Sequence, residues 1–142
     1  GSAPVAMDGQ HKFFRLKISS SYISDPHLQF MSANSLGKDD VVVAISQSGT
    51  TAALIESIKI VRKNGAKVIG IMPGDTPLAN ICDFPLTINV GSNNRISKPV
   101  TSRIAYTAVI DVLTMGVAQL KPEAQDHLYN IADSQRSLKV DS

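Results

Sequence analysis

Four hydroxyls crowd one glycine in the stretch Ile45-Ser46-Gln47-Ser48-Gly49-Thr50-Thr51. It directly follows the apolar run Val41-Val42-Val43-Ala44 and leads into a helical pattern. A helix start leaves backbone N–H groups unpaired and carries partial positive charge. Glycine permits a tight turn and close approach of a ligand, and hydroxyls add uncharged donors. Together these make an anion site, most simply for a phosphate monoester. In this reading Ser46, Ser48 and Thr51 donate to phosphate oxygens, Gly49 and Thr50 add backbone N–H groups, and Gln47 reaches the rest of the ligand. A single Ser or Thr here would only cap a helix or fill a turn. The whole set S-x-S-G-x-T, between a strand and a strong helix, calls for more. The spacing excludes three other loops. There is no G-x-x-x-x-G-K-[ST] and no lysine in the turn, no G-x-G-x-x-G, and position 46 is serine where a G-x-S-x-G elbow needs glycine.

Weaker candidates lie elsewhere. Lys98 and Arg103 bracket a second polar stretch that includes Ser97, Thr101 and Ser102. Arg103 suits a carboxylate, which a guanidinium holds through two parallel bonds. A solvated cation paired with a surface acid is the plain alternative. His11 is a candidate ligand or subunit contact, although a cation near a helix end is also simply favourable there. Glu56, His11 and His27 are the acid–base groups on offer, and their spacing assigns none of them to catalysis. Nothing in the sequence calls for a cofactor or a metal. The one cysteine, Cys82, cannot form an internal disulfide and has no metal-type cluster around it.

The elements that must carry these residues follow from patterning. Residues 4–16 read as a helix with Pro4 in its first turn and Ser2 as cap, weakened by Gly9. Residues 15–23 alternate enough to predict a short strand. Asp25-Pro26 starts a second helix, to about Ala33. The β-branched run Val41–Ile45 predicts a strand covered on both faces. Leu54, Ile55, Ile58 and Val61 form the apolar stripe of a helix over 51–64, which Gly65 ends. Then come a strand at 67–72, a short helix at 76–81, and a strand at 84–90 with Pro85 near its beginning. A long helix spans 101–120 and a final amphipathic one runs from 123 to about 140. Alternating strands and helices indicate an α/β fold with a parallel sheet. In such sheets the ligand sits beyond the carboxyl ends of the strands, where Ser46–Thr51 stands.

The totals agree with one domain. The chain has 142 residues, 43% hydrophobic and 18% charged, which supports a core and argues against wholesale disorder. A net charge of +2 is too small to imply a nucleic-acid surface. No uninterrupted apolar run is long enough to span a bilayer, and no signal peptide is visible, so a cytoplasmic protein with no membrane partner is expected.

The set Ser46, Ser48, Gly49 and Thr51 resembles the S-x-S-G-x-T signature of the SIS (sugar isomerase) domain, and the likeness runs from Ser2 to about Leu120. It implies a three-layer α/β/α sandwich with a mainly parallel, flavodoxin-like sheet of five strands, and a phosphosugar ligand. The segments APVAMDGQHKFFRL (Ala3–Leu16) and TSRIAYTAVIDVL (Thr101–Leu113) are similar to the effector domain of RpiR-family bacterial transcription regulators, nearest to HexR-like regulators of glucose catabolism. That implies 2-keto-3-deoxy-6-phosphogluconate as effector. It also implies DNA contact only through an N-terminal helix-turn-helix domain lying outside this chain. SIS domains open with a strand and a loop ending in serine. Only Ser2 matches that serine, and Gly1-Ser2 is also a common cloning remnant. The expectation is therefore a fragment whose sheet lacks its first strand.

The resulting expectation is one phosphosugar-binding domain over 1–142, with a core at about 2–120 and a C-terminal helix and tail at 121–142. It is a non-enzyme that binds a sugar phosphate and assembles as a homodimer or higher homo-oligomer. The stripe Ile104, Val109, Ile110, Leu113 and Val117 exceeds what one covering helix needs; simple core burial is the favoured reading, with a second subunit packing against part of it as the other. The alternatives are an aldose–ketose phosphate isomerase on the same cradle, and an interaction module whose hydroxyl-rich turn is only a capped helix start.

Overall fold

The computed structural model describes residues 2–91 and 98–139. β-branched residues favour extended backbone, and Val41–Ile45 forms strand β1. Lys67–Met72 forms β2 and Phe84–Thr87 forms β3. All pair in parallel in the order β1-β2-β3, with Val41 opposite Lys67 and Ile69 opposite Phe84. Parallel neighbours need crossovers. Helix α3 (Ala52–Lys63) joins β1 to β2, and the five-residue α4 (Pro77–Ile81) joins β2 to β3. Asn64 and Gly65 end α3, with Gly65 at φ +90.

Two helical layers follow from the pleat, which sends alternate side chains to opposite faces. On one face Ala44, Val68 and Met72 pack with Ile58 and Val61 of α3, Leu78 of α4, and Ala33 of α2 (Pro26–Ser35). On the other, Ile71 meets Val5 of α1 (Ala3–Arg15) and Tyr106 and Ile110 of α5 (Lys98–Leu120). Helix α6 (Pro122–Ser137) packs on α1 and α5. Gly9, which weakens α1 on propensity, sits at the α1–α5 crossing, where a Cβ would lie 3.4 Å from Ile110 Cδ1. Lys12 locks the same crossing by pairing with Asp8 at 2.8 Å and with Asp111 of α5. Partial burial pulls the Lys12 pKa down, but the hydrogen bonds to Asp111 and Asp8 outweigh it and leave it raised.

Several expectations change. No strand forms over 15–23. Lys17 takes φ 61, a left-handed conformation that breaks an extended run, and Ser20 and Gln10 trade side-chain bonds to each other's carbonyls. β3 stops at Thr87 rather than at residue 90. The described sheet therefore has three strands, not the five the resemblance implies. β1 is not sealed on both faces: Val41 is 61% exposed, and Val42, Val43 and Ile45 are only partly buried. Ser2 holds the N-cap position of α1, yet its hydroxyl makes no cap bond. α5 is long and apolar enough to cross a membrane by length and composition. Arg103 and Asp111 interrupt it, and one face, with Ser102, Tyr106, Ile110 and Thr114, is buried in this domain. The apolar stripe of α5 divides: Ile110 is core, Val109, Leu113 and Val117 are partly covered, and Ile104 is exposed together with Val112 and Met115.

Candidate functional site

The loop from Ser46 to Thr51 leaves the carboxyl end of β1 and enters α3. It is held from three sides. Ser46 is 4% exposed, and its backbone N–H donates to the Ile71 carbonyl of β2 at 3.0 Å. The Tyr106 hydroxyl of α5 donates to the Ser46 carbonyl at 3.3 Å. The Leu78 N–H of α4 donates to the Gly49 carbonyl at 3.1 Å.

Gly49 has no substitute. Its φ is +67, and a Cβ would stand 2.4 Å from Thr76 Oγ1 and 2.6 Å from Thr76 Cβ. Thr76 is itself fixed. It caps α4 by accepting from the Ala79 N–H at 3.3 Å, and it donates to the Pro73 carbonyl at 3.0 Å.

The hydroxyls divide their work. Ser46 Oγ accepts the Gly49 N–H at 2.9 Å, and Ser48 Oγ accepts the Thr50 N–H at 3.2 Å. The N–H groups of Gly49 and Thr50, expected to face a phosphate, are thus paired within the loop here. A hydroxyl that accepts still has its own hydrogen to donate, so Ser46 and Ser48 remain donors. Thr51 occupies the N-cap of α3, yet its hydroxyl makes no cap bond. The first-turn N–H groups of α3 have no intrahelical partner, and Thr51, Ala53 and Leu54 at that end line the groove. The loop thus offers hydroxyl hydrogens and a positive helix end, with no Lys or Arg among the described residues lining the groove, which suits an anion held reversibly.

The structure gathers some candidates and separates others. Ser2, Ser46, Gln47, Ser48 and Thr51 line one groove of about 1050 Å³. Gln47, Lys98 and Ser102 line a small adjoining cleft of about 80 Å³. Gln47 joins the two and bridges to α5, its amide donating to the Pro99 carbonyl at 3.3 Å. Arg103 and His11 are exposed and line neither space. Glu56 pairs outward with Lys59 at 2.9 Å, and His27 is exposed on α2. Ser97 lies outside the described residues. Among the described residues no group of three or more His, Cys, Asp or Glu is placed to hold a metal ion.

Three residues were not singled out from the sequence. Tyr106 is 1% exposed, and burial raises its phenol pKa. A lone phenol on an apolar helix face needs a partner once buried, which is the signal that points to it. Thr76 shapes the space beside Gly49. Asn89 lines the small cleft and accepts the Gly74 N–H at 3.0 Å. Neither of these two had a sequence cue.

Comparison with known proteins places the chain in a family. The SIS domain family model matches residues 1–116. The chain is 39% identical over 134 residues to the HTH-type transcriptional regulator HexR of Pseudomonas aeruginosa, covering 94% of this chain and 47% of that protein. It is 36% identical over 141 residues to the regulator of the same name in Escherichia coli, covering 99% and 49%. The chain thus spans about half the length of these curated relatives. A solved structure, the Vibrio vulnificus NanR protein complexed with ManNAc-6P, superposes with a TM-score of 0.86 at 21% identity, over 99% of this chain and 53% of that one. At that identity the likeness carries the fold alone. The family match across most of the chain and the loop geometry agree: this chain belongs to the SIS domain family.

Proposed function

We propose that the chain is the phosphosugar-binding effector domain of an RpiR-family, HexR-like bacterial transcription regulator of sugar catabolism, working in the cytoplasm. The observation that carries this reading is the Ser46–Thr51 loop, where hydroxyl hydrogens and the uncapped start of α3 meet beside a groove. Thr51 at the cap position without a cap bond speaks against a turn that is only structural. The relatives named as transcription regulators, and the sugar phosphate in the NanR complex, support a sensor.

The ligand we assign is 2-keto-3-deoxy-6-phosphogluconate. Its phosphate docks on Ser46, Ser48 and Thr51, and its polar remainder extends past Gln47 toward Lys98 and Ser102. The domain binds without turnover. Among the described residues the candidate bases Glu56, His11 and His27 line neither the groove nor the cleft, which favours binding over an isomerase step. Two copies associate through the exposed face of α5 that carries Ile104, Val112 and Met115. Ligand acts by differential affinity for two dimer geometries. The change reaches DNA through a helix-turn-helix domain outside these residues. Calorimetric titration with 2-keto-3-deoxy-6-phosphogluconate and with its unphosphorylated analogue tests this: heat of binding from the first alone is expected, and equal binding of both overturns the phosphate cradle.

A further inference from the structure

The small cleft beyond Gln47 has a defined pattern of donors and acceptors. Asn89 Oδ1 accepts the Gly74 N–H at 3.0 Å. An amide nitrogen cannot accept, so this bond fixes which way the side chain is turned. Its two N–H hydrogens remain for the cleft that Asn89 lines. Gln47 is turned the other way: its Nε2 donates to the Pro99 carbonyl at 3.3 Å, which leaves Oε1 as an acceptor. The Tyr106 hydroxyl gives its hydrogen to the Ser46 carbonyl and can otherwise only accept. Ser102 is 3% exposed, and among the described residues its hydroxyl has no hydrogen-bond partner. Buried hydroxyls are nearly always partnered, so this one is open to a group that enters the cleft.

Among the described residues Lys98 is the one charged side chain that lines the cleft, and no Asp or Glu stands there. Asn89, Lys98 and Ser102 thus bring N–H and O–H donors and a positive charge to a space of about 80 Å³. A carboxylate fits that set. It is acceptor-only, with two oxygens and about four lone-pair sites, and it neutralises the ammonium. A neutral amide or hydroxymethyl end brings hydrogens that Asn89 and Lys98 cannot accept. Lysine is a compact point charge that draws any anion, so the direction comes from the fixed amide of Asn89. Gln47 Oε1, at the junction of groove and cleft, is left to accept a ligand hydroxyl between the two ends. Arg103, the residue that suits a carboxylate on chemistry alone, lines neither space.

We propose that Asn89 is a specificity-determining residue of the effector site: with Lys98 and Ser102 it forms a subsite for a carboxylate at the ligand end remote from the phosphate, so the domain takes phosphorylated sugar acids and rejects their neutral counterparts. The inference rests on the phosphate reading of the Ser46–Thr51 loop. It adds that the discriminating group is an uncharged amide, set in place by the Gly74 backbone just after β2.

The test is calorimetric titration of the 142-residue chain with 2-keto-3-deoxy-6-phosphogluconate and with its C1 carboxamide, which keeps the phosphate and the shape and loses the carboxylate charge. The unaltered chain should bind the acid about tenfold or more tightly than the amide, the worth of a hydrogen bond to a charged group. Asn89→Asp keeps an oxygen for the Gly74 N–H and replaces the amide hydrogens by a second carboxylate oxygen. Asn89 is exposed, so the variant should melt as the unaltered chain does. It should weaken binding of the acid and narrow or reverse the preference, because the amide ligand has N–H groups to give. Equal binding of acid and amide by the unaltered chain overturns the subsite while leaving the phosphate reading in place. So does an Asn89→Asp variant that weakens both ligands alike, since a merely structural role would leave the ratio unmoved. Binding of neither ligand by the unaltered chain overturns the phosphate reading itself, and the subsite with it.

Discussion

The Tyr106 hydroxyl donates to the Ser46 carbonyl at 3.3 Å, tying the first residue of the hydroxyl loop to a helix 60 residues further along the chain. Both groups are buried. The bond makes α5 a support for the loop, so movement of α5 against another subunit would reach the ligand directly.

Tyr106→Phe leaves the Ser46 carbonyl without this donor. The expected loss is about 1 kcal/mol of stability, read by urea denaturation, with weaker ligand binding because the loop loosens. The pH dependence has a definite sign. Burial raises the phenol pKa in the folded chain, while the unfolded chain releases its proton near pH 10. Stability held below pH 10 is lost as pH climbs through the folded value. Tyr106→Phe should remove that part of the alkaline slope. An unchanged slope would mean the phenol is not buried as described.

Gly49→Ala should be costly twice over. The residue has φ +67, and its new methyl would lie 2.4 Å from Thr76 Oγ1. A loss of about 1–3 kcal/mol is expected, with ligand binding abolished. Melting curves of Gly49→Ala with and without Thr76→Gly, which removes every clashing side-chain atom, check the cause. Partial recovery in the double variant identifies the Thr76 clash.

Thr51→Val separates binding from capping. The hydroxyl makes no cap bond, so stability should change by less than about 0.5 kcal/mol. Binding of 2-keto-3-deoxy-6-phosphogluconate should weaken about tenfold, the value of one hydrogen bond to a charged group. A destabilised variant that binds normally would return Thr51 to a purely structural role.

Ile104, Val112 and Met115 form the exposed apolar face of α5. Lysine at Ile104 and Met115 together should yield a folded monomer, measured by sedimentation, because charges at the centre of an interface are left unpaired. An unchanged mass would place the subunit contact elsewhere.

Local pattern carried β1, β2 and α3. The β-branched run at 41–45, the stripe Leu54-Ile55-Ile58-Val61 and the glycine at 65 each act within a few residues. The signature Ser46, Ser48, Gly49 and Thr51 was legible for the same reason. Residues 15–23 were misread because a strand needs a neighbour to pair with, and alternation cannot show that the neighbour is missing. The bonds from the Gly49 and Thr50 N–H groups to Ser46 and Ser48 were not legible, because the sequence does not show which of the motif's own groups pair with one another. Thr76 and Tyr106 went unnoticed as site residues because they reach the loop only through the fold.

A phosphate held by hydroxyls, without chemistry, is read by phosphorus NMR of the chain mixed with 2-keto-3-deoxy-6-phosphogluconate, with fructose 6-phosphate as comparison. A shifted or broadened signal is expected for the first compound, with ligand recovered unchanged. A signal untouched by the protein would contradict the cradle, and a new phosphate resonance growing with time would mean turnover and contradict the sensor.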